Sequence, residues 1–190
     1  MNTKTKTIIS IIVFAIFIGG AYFAYHALSN NYVPNTQLQL AEDKSKVDSG
    51  KEKKPASDFT VLDVKGNAVK LSDFFGKPIV LNFWASWCPP CKSEMPHFNK
   101  IYQQFKDDVT FLMVDLVDGQ RETLEKGKKY IMDNGYSFPV YFDTKQEAAN
   151  IYKIASIPTS LFIDKDGNIV TSYQGAIDEE TLLAAIELIK

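Results

Sequence analysis

The sequence predicts an α/β domain, a central mixed β-sheet flanked by helices, preceded by an N-terminal transmembrane helix. Three observations carry this. Strand-like and helix-like segments alternate from residue 56 onward and close with a hairpin and a last helix. The run from Ile79 to Ala85 is almost continuously apolar, as a strand covered on both faces must be. Near the N-terminus, no Asp, Glu, Lys or Arg occurs from Ile8 to Leu28.

The uncharged run is long enough to cross a bilayer, which takes about 20 apolar residues as a helix. Lys4 and Lys6 precede it, and the next basic side chain apart from His26 is Lys44. The positive-inside rule then leaves the N-terminus in the cytoplasm and everything after Ser29 outside. Tyr22, Tyr25 and Tyr32 suit the outer interface. A signal peptide cleaved after Ser29 is the alternative, with Ala27 and Ser29 as small residues, but the apolar run is longer than a usual signal core. No cysteine lies near its end for a lipid anchor. Both readings place the domain outside the cytoplasm. Residues 1–28 are thus expected to be the tip and anchor. Residues 29–55, polar and mixed in charge, are expected to be a flexible tether.

Charge divides along the same line. Residues 1–55 carry seven Lys and four Asp or Glu, for +3; residues 56–190 carry fourteen Lys or Arg and nineteen Asp or Glu, for −5. An acidic domain in a chain of net charge −2 argues against nucleic acid as a partner. A hydrophobic content of 45% is enough for a packed core.

Within residues 56–190 the elements succeed one another in order. Phe59–Asp63 and Asn67–Leu71 flank a Val64-Lys65-Gly66 turn and form a hairpin. Ser72–Pro78 is a turn, and Ile79–Ala85 is the central strand. Pro89–Phe105 reads as a helix with Pro96 inside it. Val109–Leu116 is a second apolar strand, and Arg121–Asn134 a helix stopped by Gly135. Pro139–Asp143 is a short strand and Gln146–Tyr152 a short helix. Thr159–Asp164 and Ile169–Gln174 form a hairpin across Lys165–Asn168. Asp178 caps a closing helix that runs to Lys190.

The only two cysteines lie three residues apart in Trp87-Cys88-Pro89-Pro90-Cys91, between the central strand and the first helix. Two thiols at that spacing can close into a disulfide and reopen. A helix start favours a thiolate, because free backbone N–H groups and the helix dipole stabilise negative charge. Only the thiolate attacks a disulfide. A zinc site needs about four ligands, and the chain adds only His26 and His97 to the two cysteines. A structural staple closing so short a loop would stabilise little.

These residues resemble the thioredoxin fold, and within it the membrane-anchored TlpA/ResA-like thiol–disulfide oxidoreductases of bacteria. The resemblance spans roughly residues 56–190. It rests on Asn82-Phe83-Trp84-Ala85-Ser86-Trp87-Cys88-Pro89-Pro90-Cys91-Lys92, on Pro96, on Ile157-Pro158-Thr159, and on Gly175-Ala176. The segment Val117–Phe138 and Glu94 are typical of the TlpA-like branch. The resemblance implies that Cys88 attacks, that Cys91 resolves, and that Glu94 moves a proton at Cys91. It implies a cis Pro158 that presents the backbone at Ile157 to substrate, with Trp87 exposed beside Cys88 and Pro89 at the contact. Asn82 stands where cytoplasmic thioredoxins carry a buried aspartate, which leaves the proton role to Glu94.

The resemblance also implies an extracytoplasmic thiol–disulfide oxidoreductase, single-pass in the bacterial cell membrane. It would reduce disulfides in envelope proteins or apocytochrome c, with electrons from a membrane carrier of the CcdA/DsbD type. No cofactor beyond the Cys88–Cys91 pair, and no metal, is expected. Two alternatives remain: an oxidase that forms disulfides in secreted proteins, and a copper metallochaperone of the Sco type. The latter is disfavoured because it needs a CxxxC spacing and a distant histidine. A peroxiredoxin is disfavoured because its reactive cysteine does not sit in a WCxxC motif.

Overall fold

The computed structural model describes residues 54–190, together with residues 14, 18–20, 22 and 23. The rest of the expected anchor, and the tether up to Lys53, lie outside the described residues. Among the described residues no helix is long and apolar enough to cross a membrane.

The domain is an α/β fold around one eight-stranded mixed sheet. In chain order its elements are β1 (Lys54–Pro55), β2 (Thr60–Leu62), β3 (Ala68–Lys70), a 3-10 turn (Leu71–Phe74), β4 (Ile79–Trp84), α1 (Pro89–Phe105), β5 (Thr110–Asp115), α2 (Leu124–Asp133), β6 (Val140–Phe142), α3 (Glu147–Ile151), β7 (Thr159–Ile163), β8 (Asn168–Gln174) and α4 (Glu179–Ile189). Across the sheet the order is β1-β8-β7-β4-β5-β6-β2-β3. The central strand β4 runs parallel to β5 and antiparallel to β7.

All six residues of β4 are buried, which explains its unbroken apolar character. Alternate side chains leave opposite faces. Val80 and Trp84 pack with Phe98 and Ile101 of α1 and with Leu182, Ala185 and Ile186 of α4. Ile79, Leu81 and Phe83 pack on the other face with Phe59, Leu112, Val114 and Ala148. Asn82 therefore faces the helix α1 side, where the disulfide lies.

Two boundaries differ from the sequence reading by more than one residue. Lys54 and Pro55, assigned to the tether, pair with Ile169 and Asn168 at the edge of the sheet. Helix α2 begins at Leu124 rather than Arg121. The reason is local: Asp118 Oδ1 accepts from the backbone N–H of Gln120 and of Glu122, at 2.8 and 2.9 Å. This turn holds the chain out of the helix until Thr123 caps it by accepting from Lys126 N–H. Helix α1 has the predicted bounds and continues through Pro96. Asp178 caps α4 as expected, accepting from Thr181 N–H at 2.9 Å.

Candidate active site

Strand β4 delivers Ala85, Ser86 and Trp87 to the start of α1. Cys88 is the N-cap of that helix, in extended conformation, and Pro89 and Pro90 fill its first two positions. Proline fits there because its fixed φ is helical and its missing N–H would have had no partner within the helix. Cys88 and Cys91 are joined as a disulfide. The backbone N–H of Cys91 points at Cys88 Sγ from 3.2 Å. With both prolines lacking an N–H, it is the first amide of the helix available to a Cys88 thiolate. Cys88 is 2% exposed and Cys91 fully buried, so only Cys88 reaches the surface.

The peptide bond Ile157–Pro158 is cis. It sets the Ile157 carbonyl oxygen 3.7 Å from Cys88 Sγ. Pro158 is buried, and its carbonyl accepts from Gly175 N–H at 2.8 Å, which ties the cis loop to the end of β8. Beside Cys88 opens a cleft of about 450 Å³. Trp87, Cys88, Pro89, Leu116, Asp118 and Ile157 are among its lining residues. The predicted contact residues Trp87, Pro89 and Ile157 thus meet at one cleft with Cys88.

Glu94 lies one helical turn beyond Cys91 and is buried. Its Oε1 accepts from the Asn82 amide at 2.8 Å, and its Oε2 from Ile177 N–H at 3.0 Å. Burial pushes its carboxyl up to about 7, and these two hydrogen bonds oppose the rise. Both protonation states are therefore populated near neutral pH. Asn82 serves both. Its amide nitrogen donates to Glu94 and to Ser160 Oγ, at 2.8 and 2.9 Å. Turned over, the amide would offer its oxygen to a protonated Glu94 and to the Ser160 hydroxyl.

Trp87 departs from its expected exposure. It is half-buried, its indole N–H has no partner, and the Arg121 guanidinium lies 3.4 Å from the centre of its ring. Lys92 is exposed, as a solvated helix residue should be, but stands 5.3 Å over the Tyr130 ring. His97 is half-buried on α1. Among the described residues no group of three or more His, Cys, Asp or Glu is placed to hold a metal ion.

Sequence reasoning missed three residues around the loop before Cys88. Glu122 Oε2 accepts from both the backbone N–H and the hydroxyl of Ser86, at 2.9 and 2.8 Å. Arg121 covers Trp87. Asp115 ends β5 fully buried, opposite Trp84 in the parallel register. One signal was present. Phe111, Met113 and Asp115 alternate onto one face, so an acid was headed for the core.

Comparison with known proteins decides the family. Residues 53–172 match the AhpC/TSA family. The thiol–disulfide oxidoreductase ResA of Bacillus thuringiensis (strain Al Hakam) is 37% identical over 140 residues, which span 74% of this chain and 78% of that protein. The chain belongs to this family. It is a thiol–disulfide oxidoreductase of the ResA type with a thioredoxin-like fold. Solved structures also align over most of this chain. The crystal structure of StoA from Bacillus subtilis aligns with a TM-score of 0.60 at 31% identity, covering 70% of this chain and 98% of StoA. A structure from Chlorobium tepidum, described as a thiol:disulfide interchange protein DsbE, aligns with a TM-score of 0.62 at 30% identity, covering 73% and 99%.

Proposed function

We propose that this oxidoreductase works as a reductase on the outer side of a bacterial cell membrane. The N-terminal apolar run holds it there, and its substrates are disulfides in envelope proteins or apocytochrome c. A membrane thiol carrier of the CcdA/DsbD type returns the electrons. Cys88 in its thiolate form attacks a substrate sulfur, forming a mixed disulfide and releasing a substrate thiolate that takes up a proton. Cys91 then gives up its proton and attacks Cys88 Sγ. The second substrate thiolate leaves, and the Cys88–Cys91 disulfide forms. Two electrons have passed to the substrate. Glu94 is the base that receives the Cys91 proton. The cis-Pro158 loop aligns an extended substrate chain against Cys88.

The observation that carries the direction is the amide arrangement at Cys88. A strong disulfide donor owes its high potential to a stabilised reduced form. Here Pro89 and Pro90 remove two helix-start amides, which leaves the Cys91 N–H at 3.2 Å. Glu94, buried one turn away, brings a carboxylate that disfavours a thiolate. Both effects destabilise the reduced site and favour giving electrons away. The test is the reduction potential of the full chain in a glutathione or dithiothreitol buffer. A value near that of thioredoxin, roughly −270 mV or lower, supports the reductase. A value toward roughly −120 mV would make the chain a disulfide donor and overturn the direction.

A further inference from the structure

At the C-terminal ends of β4 and β5 lies a second polar cluster that the exchange steps do not use. Asp115 and Glu122 are fully buried. Both carboxyl oxygens of Asp115 and Oε1 of Glu122 accept no hydrogen bond, and the indole N–H groups of Trp84 and Trp87 donate none. Trp84 and Asp115 are register partners on adjacent parallel strands, so their side chains leave the same face. Helix α2 passes close above. A Cβ added at Gly127 would fall 1.9 Å from Asp115 Oδ2. Glycine at 127 is what makes room for the acid.

Buried polar atoms without partners are rare and demand a reason. Two carboxyl groups buried near each other do not both ionise, because lost hydration and mutual repulsion act in the same direction. Among the described residues no cation neutralises these two. Lys126 Nζ is held by the carbonyls of Gln120 and Arg121, Arg121 lies on Trp87, and Lys92 lies over Tyr130. The other groups around the cluster are Asp118, Tyr130 against Trp84, and Asp143, whose N–H donates to the Asp115 carbonyl. The remaining way to discharge the pair is a proton.

We propose that Asp115 and Glu122 are positioning residues for thiol–disulfide exchange: Asp115 holds a proton, and in that state Glu122 fixes Ser86 and, through it, the Trp87–Cys88 segment. Glu122 accepts both Ser86 hydrogen bonds, from the backbone N–H and the hydroxyl. Burial, then the charges of Glu122 and Asp118, push the Asp115 carboxyl up to about 9. Losing the proton adds a buried negative charge behind the loop that carries Cys88. That charge loosens the segment and opposes the Cys88 thiolate. The proposal rests on exchange at Cys88 and not on the substrate or the direction of electron flow, so a high reduction potential would leave it standing.

The test uses the full chain, with Asp115→Asn, Glu122→Gln and Ser86→Ala variants. In the oxidised protein, in a Glu94→Gln background, infrared spectra at about pH 8 are expected to show a protonated carboxyl that Asp115→Asn removes, because about pH 8 lies below the Asp115 ionisation. In the reduced protein, the rate of Cys88 alkylation by iodoacetamide is followed from about pH 6 to 10. Wild type is expected to show a second ionisation beyond that of the thiol. Asp115→Asn is expected to erase that second ionisation, and Glu122→Gln to move it to lower pH and to slow alkylation about tenfold at neutral pH. Ser86→Ala, which keeps the backbone N–H, is expected to slow it about twofold to threefold. If Asp115→Asn does not fold, the other two variants carry the test. Absence of the protonated carboxyl overturns the proposal. So do variants that lower thermal stability but keep the wild-type alkylation profile.

Discussion

Two buried carboxyl groups flank the loop that carries the disulfide, and the protein treats them in opposite ways. Glu94 is satisfied, with Asn82 on one oxygen and Ile177 N–H on the other. Asp115 has neither oxygen satisfied and has Glu122 beside it. Burial raises both, but the hydrogen bonds at Glu94 hold it to about 7, whereas like charge drives Asp115 to about 9. Burial alone does not make a proton shuttle. Hydrogen bonds to the charged form bring the group back into the range where it can both take and give a proton. Without them the group holds its proton as a fixed structural element.

The largest effect that would break this contrast is in stability. For Glu94 the folded state binds the proton more tightly than the unfolded chain. Between the reference value of 4.5 and about 7, the unfolded state therefore holds fewer protons, and stability falls as pH rises. The loss is on the order of 3 kcal/mol, complete above the folded value. For Asp115 the decline extends further, toward pH 9. Urea unfolding of the oxidised protein, where no thiol titrates, should show this two-part decline. Glu94→Gln should make the decline shallower below about pH 7 only, whereas Asp115→Asn should make it shallower over the whole range from the reference value of 3.8 to about 9. A single decline abolished by either variant alone would show the two corners to be one titrating unit.

The next effect is on rate. Positioned proton transfer contributes about 100-fold or more. Glu94→Gln keeps the shape and the partner at Ile177 but cannot accept a proton. Stopped-flow exchange should lose about 100-fold in the resolving step at neutral pH, with little change in the first attack by Cys88. Unchanged cysteine ionisation and unchanged rates would remove Glu94 from the mechanism.

The two corners also differ in how far the sequence reveals them. Glu94 and the cis bond before Pro158 are legible through the family resemblance, which the short motifs around Cys91 and Ile157-Pro158-Thr159 carry. The helix start at Pro89 is legible from the residues themselves, since proline suits the first turn. Glu122 is not, because helical periodicity runs back to Arg121 and absorbs it. The Asp118 turn that stops the helix depends on one side chain reaching two amides. Asp115 is hidden at the end of an apolar strand, where only the alternation of faces marks it as inward. β1 reads as tether because two exposed residues form a strand only when Asn168 and Ile169 are there to pair with them.

A third test sharpens the Asp115 corner. Gly127 lies in the interior of α2, where Ala is ordinarily better by about 1 kcal/mol. Here the added methyl meets Asp115 Oδ2 and then Phe142. Overpacking of this kind costs about 1–3 kcal/mol, so Gly127→Ala should destabilise despite its helix propensity. Combined with Asp115→Ala, the clash disappears and the propensity gain should return. Thermal melts of the four proteins in the cycle give the coupling. Additive effects would mean that the carboxyl moves aside at no cost.

The smallest expected effect is at the rim of the same corner, at Arg121 over Trp87. The contact is a guanidinium on an indole face at 3.4 Å, and such pairs contribute about 0.5–1 kcal/mol at exposed sites. Arg121→Ala should therefore change global stability by less than the Gly127 variant does. Its effect should appear locally, in Trp87. The indole loses its cover and shifts its fluorescence, while Trp84, fully buried against Tyr130, does not. If Glu122 holds Ser86 from below, Trp87 released by Arg121→Ala should still leave Cys88 alkylation within about twofold of wild type. Arg121→Lys restores the charge but not the planar stacking, and should recover only part of the fluorescence change. A full loss of Cys88 reactivity in Arg121→Ala would place the grip on the active-site loop at Arg121 and reduce Glu122 to a structural contact.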